Sequence, residues 1–115
     1  MLVTLCRAKI HRATVTDANL EYEGSISIDK NLIDAAGLYL YEKVQVANVT
    51  NGERLETYAI KGEANSGIVC LNGAAAHRGK KGDLVIILSY ALVEKERADL
   101  YKPRIVFVDK DNKAV

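Results

Sequence analysis

A Gly24-Ser25 pair sits inside the run LEYEGSISI (20–28), which is otherwise patterned as a strand. Glycine leaves its carbonyl uncovered and reaches backbone conformations closed to other residues, so the hydroxyl of a following serine can approach that carbonyl. One reading involves no chemistry: a β-bulge or a tight bend. The other is a strained peptide set up for attack of Ser25 on Gly24 and self-cleavage. A serine hydrolase fits less well, because EGSIS is not a G-x-S-x-G elbow and His11 and His77 come with no readable third member of a triad. Neither histidine shares ligand spacing with Cys6 or Cys70, and the cysteines have no CxxC spacing. The sequence therefore offers no metal site, and the thiols read as reduced residues of apolar strands.

The elements that must hold this pair follow from composition and periodicity. With 115 residues, 49% hydrophobic and 27% charged, the chain reads as one soluble domain over 1–115. A formal charge of +1 gives no electrostatic case for nucleic acid or for an anionic membrane, which argues against a non-catalytic DNA-binding barrel. The N-terminal run meets Arg7 and Lys9 before a signal-peptide core can form, and the apolar run Leu84 to Val93 is broken by Ser89 and too short to span a bilayer. A cytoplasmic protein is the expectation.

Alternation over residues 2–11 predicts a strand with Leu2, Thr4, Cys6, Ala8 and Ile10 on one side and Val3, Leu5, Arg7, Lys9 and His11 on the other. DAN at 17–19 predicts a turn. Asp29 is expected to cap a short helix, KNLIDAAG, with Gly37 in the left-handed position at its end. Asn51-Gly52 lies between strand-like runs and predicts a hairpin. GIVCLNG, GDLVIILSYALV and RIVFVD read as further strands, AAAH as a small-residue patch and EKERADLYK as a short helix or loop. The resulting fold class is mainly β, a small barrel with two or three short helices.

KIHR (9–12), YEGSISID (22–29), NVTNGERLETYAI (48–60) and NGAAAH (72–77), in this order and spacing, closely resemble the bacterial pyruvoyl-dependent aspartate decarboxylases. The resemblance covers nearly the whole chain; the end, DKDNKAV, looks slightly shorter than is common in that family. It implies a double-psi β-barrel and a homotetramer with active sites between neighbouring subunits. It implies self-cleavage between Gly24 and Ser25 into residues 1–24 and 25–115, the larger chain beginning with a covalent pyruvoyl group derived from Ser25. The implied reaction is decarboxylation of L-aspartate to β-alanine for pantothenate and coenzyme A biosynthesis. A pyruvoyl ketone forms a Schiff base with the substrate amine and does the work of pyridoxal phosphate, so neither that cofactor nor a metal is expected. Some relatives need a maturation partner, and the sequence leaves open whether this chain does.

The same resemblance distributes roles among residues. Thr57 and Asn72 match positions that assist processing, where attack on Gly24 passes through an oxyanion. Tyr58 matches the donor that reprotonates the former α-carbon. Lys9 and, in a second role, Thr57 line the substrate pocket, while Gly73, Ala74 and Ala75 let backbone donors come close to the substrate. His11 matches a position in processing or in the pocket, and Tyr22 is a further candidate within the cleavage motif. Arg54 carries the planar fork that suits a carboxylate. The departing carboxylate loses its charge in the transition state, so a tight cation there would stabilise the ground state; Arg54 is expected to hold the retained side-chain carboxylate. One difficulty remains in the pattern. On a regular strand Arg54, Glu56 and Tyr58 share a face and Thr57 points away, so a bulge, or a site wrapping around the strand, is needed to bring Thr57 and Tyr58 together.

Overall fold

In the computed structural model, which describes Met1–Val115, eight strands form one sheet. They are β1 (Leu2–Thr14), β2 (Asp17–Asn19), β3 (Ser25–Asp29), β4 (Lys43–Asn48), β5 (Arg54–Gly62), β6 (Val69–Asn72), β7 (Leu84–Glu94) and β8 (Arg104–Phe107). Their spatial order is β2-β6-β3-β5-β4-β7-β1-β8. The sheet is mixed, with antiparallel pairs β1–β7, β4–β5, β4–β7 and β3–β6 and parallel pairs β1–β8, β2–β6 and β3–β5. The order has two ends and the ladder does not close, so the mainly β expectation is met by a barrel-like sheet. Ile10, Ile26, Ile28, Leu71 and Ile87, contributed by four different strands, are buried in one apolar core. No helix is long and apolar enough to cross a membrane.

The expected helix forms as α1 (Lys30–Ala36), burying Leu32, Ile33 and Ala36. The Asp29 carboxylate accepts from Asn31 N–H, and Gly37 ends the helix at φ 70°, donating to Asp34 and Ile33 carbonyls. Asp29 does more than cap. Its carboxylate also accepts from the N–H groups of Asn65 (3.0 Å) and Gly67 (2.8 Å), tying the helix start to the β5–β6 connection. A second helix, α2 (Lys95–Ala98), falls within EKERADLYK, and Gly73–His77 makes a 3-10 turn where only a small-residue patch was expected.

The Asn51-Gly52 hairpin is present as β4–β5, paired from Ala47↔Arg54 to Lys43↔Tyr58. Its connection is longer than a two-residue turn. Gly52, at φ 80°, donates to Asn48 O (2.9 Å), and Asn48 Oδ1 accepts from Thr50 and Asn51 N–H. Asn48 also donates to Asp83 (2.9 Å), which fastens the loop to the start of β7.

Two expectations are corrected. The alternation of β1 does not run unbroken: its pairing with β7 skips from Cys6↔Tyr90 to Ala8↔Ser89. The bulge at Arg7 resets the pleat, so Val3 and Leu5 fall on the side of Ala8 and Ile10 and not with Lys9 and His11. A second irregularity lies between Ile10 and Ala13, where Arg12 has φ 61°. DAN, expected as a turn, is strand β2, parallel to β6 with Asp17↔Cys70 and Asn19↔Asn72. Turn propensity yields there to the hydrogen-bonding edge that β6 presents. The turn begins afterwards, with Asn19 Oδ1 accepting from Glu21 N–H.

Candidate active site

Strand β3 begins at Ser25, and its neighbours determine what surrounds that residue. On one side β6 runs antiparallel with Ser25 opposite Asn72; on the other β5 runs parallel, but only from Ile26↔Ala59 onward. The preceding part of β5, which carries Thr57 and Tyr58, therefore has β4 on one edge and no strand on the other. An open cavity of about 780 Å³ occupies the place of the missing partner, lined by Gly24, Thr57, Tyr58, Ala74 and Ala75. Tyr58 also lines a second cavity, of about 310 Å³, together with Ser25, Tyr22, Tyr41 and Lys61.

This geometry removes the difficulty posed by strand alternation. The β4–β5 register from Arg54 to Tyr58 has no shift, so there is no bulge. Thr57 and Tyr58 reach one cavity because it lies along an unpaired strand edge, from which both faces are accessible.

Ser25 is buried, at 1% exposure, and its hydroxyl is held at both ends. It donates to Glu23 O (3.1 Å) and accepts from Asn72 Nδ2 (3.0 Å). Asn72 Nδ2 also donates to Ser27 Oγ (2.9 Å), while the Cys70 thiol donates to Asn72 Oδ1 (3.2 Å). Asn72 thus meets the serine oxygen. Burial, and then the charge of Asp17, push the Cys70 thiol above its ordinary value, which keeps it protonated.

Glycine is required at one of the two glycines of the site. At Gly73, φ is +62° and a Cβ would lie 2.6 Å from Gly24 N and 2.7 Å from Tyr22 O. The backbone of the 3-10 turn therefore packs directly on the segment that leads into Ser25. At Gly24 a Cβ would meet nothing within 4 Å, as befits a residue facing a cavity.

Other candidates lie elsewhere in the chain. Lys9 is opposite Leu88 of β7 and Ile105 of β8, and His11 pairs with Phe107 of β8. Arg54, exposed at the start of β5, is opposite Ala47. None of these three lines the cavities that contain Gly24, Ser25, Thr57 and Tyr58. The ring of His11 packs edge-on against Phe107 at 5.6 Å, and its buried Nδ1 has no hydrogen-bond partner. Burial, then the charges of Lys9 and Arg12, hold His11 below its ordinary value. Arg7, on the same strand, is taken up by a two-pronged ion pair with Glu42 (2.7 Å to Oε2) and by the Gly37 carbonyl.

His77 and Arg78, which motif reading left without a part in the site, line the Gly24 cavity beside Thr57 and Tyr58. Arg78 is ion-paired with Glu53, and its carbonyl accepts from Asn48 and Asn51. Had AAAH been read as a helical turn, the two residues closing it would have been carried to the cavity with it. No group of three or more His, Cys, Asp and Glu side chains is placed to hold a metal ion.

A buried serine hydroxyl behind a cavity-facing glycine, a carboxamide on that hydroxyl and a phenol shared by the adjoining cavities suit backbone acyl chemistry followed by proton transfer. Comparison with known proteins gives the family. The family model for aspartate decarboxylase matches residues 1–115. The chain is 58% identical over 115 residues to an aspartate 1-decarboxylase of Caldicellulosiruptor bescii, covering 100% of this chain and 90% of that one. It is 56% identical over 111 residues to the enzyme of the same name from Thermoanaerobacter pseudethanolicus, covering 96% and 95%. The Myxococcus xanthus protein of that name is 58% identical over 111 residues, covering 96% and 85%.

Proposed function

We infer the mechanism from one premise: the chain belongs to the aspartate decarboxylase family. It is a carboxy-lyase that converts aspartate to β-alanine and carbon dioxide. We propose that it works through a pyruvoyl group made from its own Ser25, after self-cleavage between Gly24 and Ser25 into residues 1–24 and 25–115. The observation that carries this reading is the buried Ser25 Oγ held 3.0 Å from Asn72 Nδ2, next to a glycine that faces open space.

In the processing step Ser25 Oγ bonds to the Gly24 carbonyl carbon and the Gly24–Ser25 C–N bond breaks. The hydroxyl proton passes to the nitrogen, leaving an ester. Thr57, in the same cavity as Gly24, is the donor for the carbonyl oxygen as negative charge develops on it. Loss of the Ser25 Cα proton and rupture of Cβ–Oγ then release residues 1–24 as a carboxylate, and water replaces the remaining nitrogen, which departs as ammonia. The residues fit the group so formed: Ser25 opens on a cavity, and Gly73 allows the close approach of Gly24 and Tyr22. The pyruvoyl group supplies a ketone that takes the substrate amine and accepts the electrons left by departing carbon dioxide.

Tyr58, shared by the two cavities, gives a proton to the former α-carbon. Ala74 and Ala75 line the larger cavity and keep its wall small. Arg54 holds the retained side-chain carboxylate of L-aspartate, and Lys9 lines the same pocket. Since neither lines the Ser25 cavities of its own chain, we place them at a neighbouring subunit's site in a homotetramer. The exposed Ile105 and Phe107, on the strand that pairs with Lys9 and His11, support a subunit contact there. Two unpaired thiols, Cys6 and Cys70, accord with a cytoplasmic setting for β-alanine supply to pantothenate.

Intact mass of the denatured protein tests the reading. Two chains meeting after Gly24, the larger one lighter than its serine-started sequence by the mass of ammonia, are expected. A single full-length chain that survives heating uncut, with or without added cell extract to supply a maturation partner, would overturn it.

A further inference from the structure

Cys70 is a buried nucleophile with no task in the mechanism above, yet its thiol touches the residue that touches Ser25. An asparagine amide has nearly the same shape in either orientation, so its partners decide which way it points. The Ser27 hydroxyl does not decide it, because a hydroxyl accepts as readily as it donates, and the Ser25 hydroxyl, which gives its proton to Glu23 O, calls for a donor on its own side but does not fix the far side of the amide. A thiol does: S–H is a donor and the sulfur a poor acceptor, so the atom facing Cys70 at 3.2 Å is the amide oxygen. The amide nitrogen is then turned toward Ser25 Oγ (3.0 Å) and Ser27 Oγ (2.9 Å).

We propose that Cys70 is a positioning residue for self-cleavage, orienting the Asn72 amide so that its N–H serves the Ser25 oxygen as that oxygen departs. The inference rests on the reading of Gly24–Ser25 as a self-cleaving bond. In the ester, Oγ bridges the Gly24 carbonyl carbon and Ser25 Cβ and no longer carries a proton. Elimination passes the Cα proton to solvent in the cavity that Ser25 lines, breaks Cβ–Oγ and sends that electron pair onto Oγ. Oγ leaves as one of the two oxygens of the Gly24 carboxylate. A fixed N–H on this atom is worth most when the charge arrives, which is the step it accelerates. A reversed amide would set a carbonyl oxygen against an ester oxygen, with no proton between them. Because burial keeps the thiol protonated, the orienting donor is present through the neutral range.

The test compares Cys70→Ser with Cys70→Ala in the full chain, followed by intact mass over time and by hydroxylamine trapping, which splits an ester and leaves Ser25 intact. Serine and alanine leave nearly the same void, so only the donor differs. Cys70→Ser is expected to cut within about 2-fold of the wild type. Cys70→Ala is expected to cut roughly 5- to 10-fold more slowly, the order set by one neutral hydrogen bond, with the hydroxylamine-sensitive ester accumulating. Equal rates for Cys70→Ala and wild type overturn the proposal, as does equal slowing in both variants. A wild-type chain that never cuts is a different result, and overturns the self-cleavage reading beneath it.

Discussion

Gly73 and Gly24 are in backbone contact: a Cβ on residue 73 would stand 2.6 Å from Gly24 N. With φ at +62°, Gly73 has no room for a side chain either conformationally or sterically. Gly73→Ala is expected to push the Tyr22–Gly24 segment off its seat, costing about 1–3 kcal/mol of strain and slowing self-cleavage by at least about tenfold, since ~1.4 kcal/mol of lost alignment is already a factor of ten. Gly24→Ala, by contrast, faces open space and is expected to change folding stability by less than about 0.5 kcal/mol. Thermal unfolding and intact mass of both variants check the pair; Gly73→Ala cutting normally with an unchanged midpoint would count against the contact.

Tyr58 belongs to both cavities, sharing one with Gly24 and the other with Ser25. Tyr58→Phe removes only the hydroxyl. The expected outcome is a chain that still matures by mass, with carbon dioxide release lowered on the order of 10²–10⁴-fold. Loss of maturation together with activity would move Tyr58 into the processing machinery.

Arg54 stands exposed at the first position of β5. If it grips the retained carboxylate, Arg54→Lys replaces a two-point fork by a single charge, and aspartate affinity should fall about tenfold, roughly 1.4 kcal/mol. Amine analogues that lack the side-chain carboxylate should bind the variant and the wild type alike. Equal affinity of Arg54→Lys and wild type for both kinds of ligand would remove the assignment.

Asp29 supplies an acid-sensitive joint. Desolvation raises its pKa, but the N–H groups of Gly67, Asn31 and Asn65 outweigh that and hold it below its ordinary 3.8. A folded-state value below the unfolded one means that the ionised carboxylate stabilises the fold above pH 3.8, and that this contribution is lost as pH falls through the lower, folded value. The unfolding midpoint should therefore drop on acidification below the ordinary carboxylate range. Asp29→Asn should cost about 1–3 kcal/mol at neutral pH and flatten that part of the acid profile. An Asp29→Asn profile parallel to the wild type's throughout would show that the carboxylate is not coupled to folding.

Much of the local structure was legible because its causes are local. The hairpin at Asn51-Gly52, the helix between Asp29 and Gly37 and the apolar strand from Leu84 follow from turn chemistry, capping and period-two burial, all of which act within a few residues. The bulge at Arg7 escaped the same treatment. It is a mismatch with β7, a partner more than eighty positions away, and nothing in residues 2–11 announces it. DAN became a strand for a related reason, since the edge of β6 was free to receive it.

By itself the sequence determined the mainly β class, the short capped helix and the motifs that mark Gly24, Ser25, Thr57, Tyr58 and Asn72. Tertiary structure alone decided that Asn72 meets the Ser25 oxygen across 47 positions of chain, and that Thr57 and Tyr58 share a cavity despite pointing to opposite faces. It also decided that Lys9, His11 and Arg54 lie away from that cavity within one chain. Side-chain period and caps are set by neighbours along the chain, whereas strand order and the length of each ladder are set by which edges pair. Here the open edge of β5 exists because β3 starts pairing only at Ile26↔Ala59 and leaves Thr57 and Tyr58 without a partner on that side.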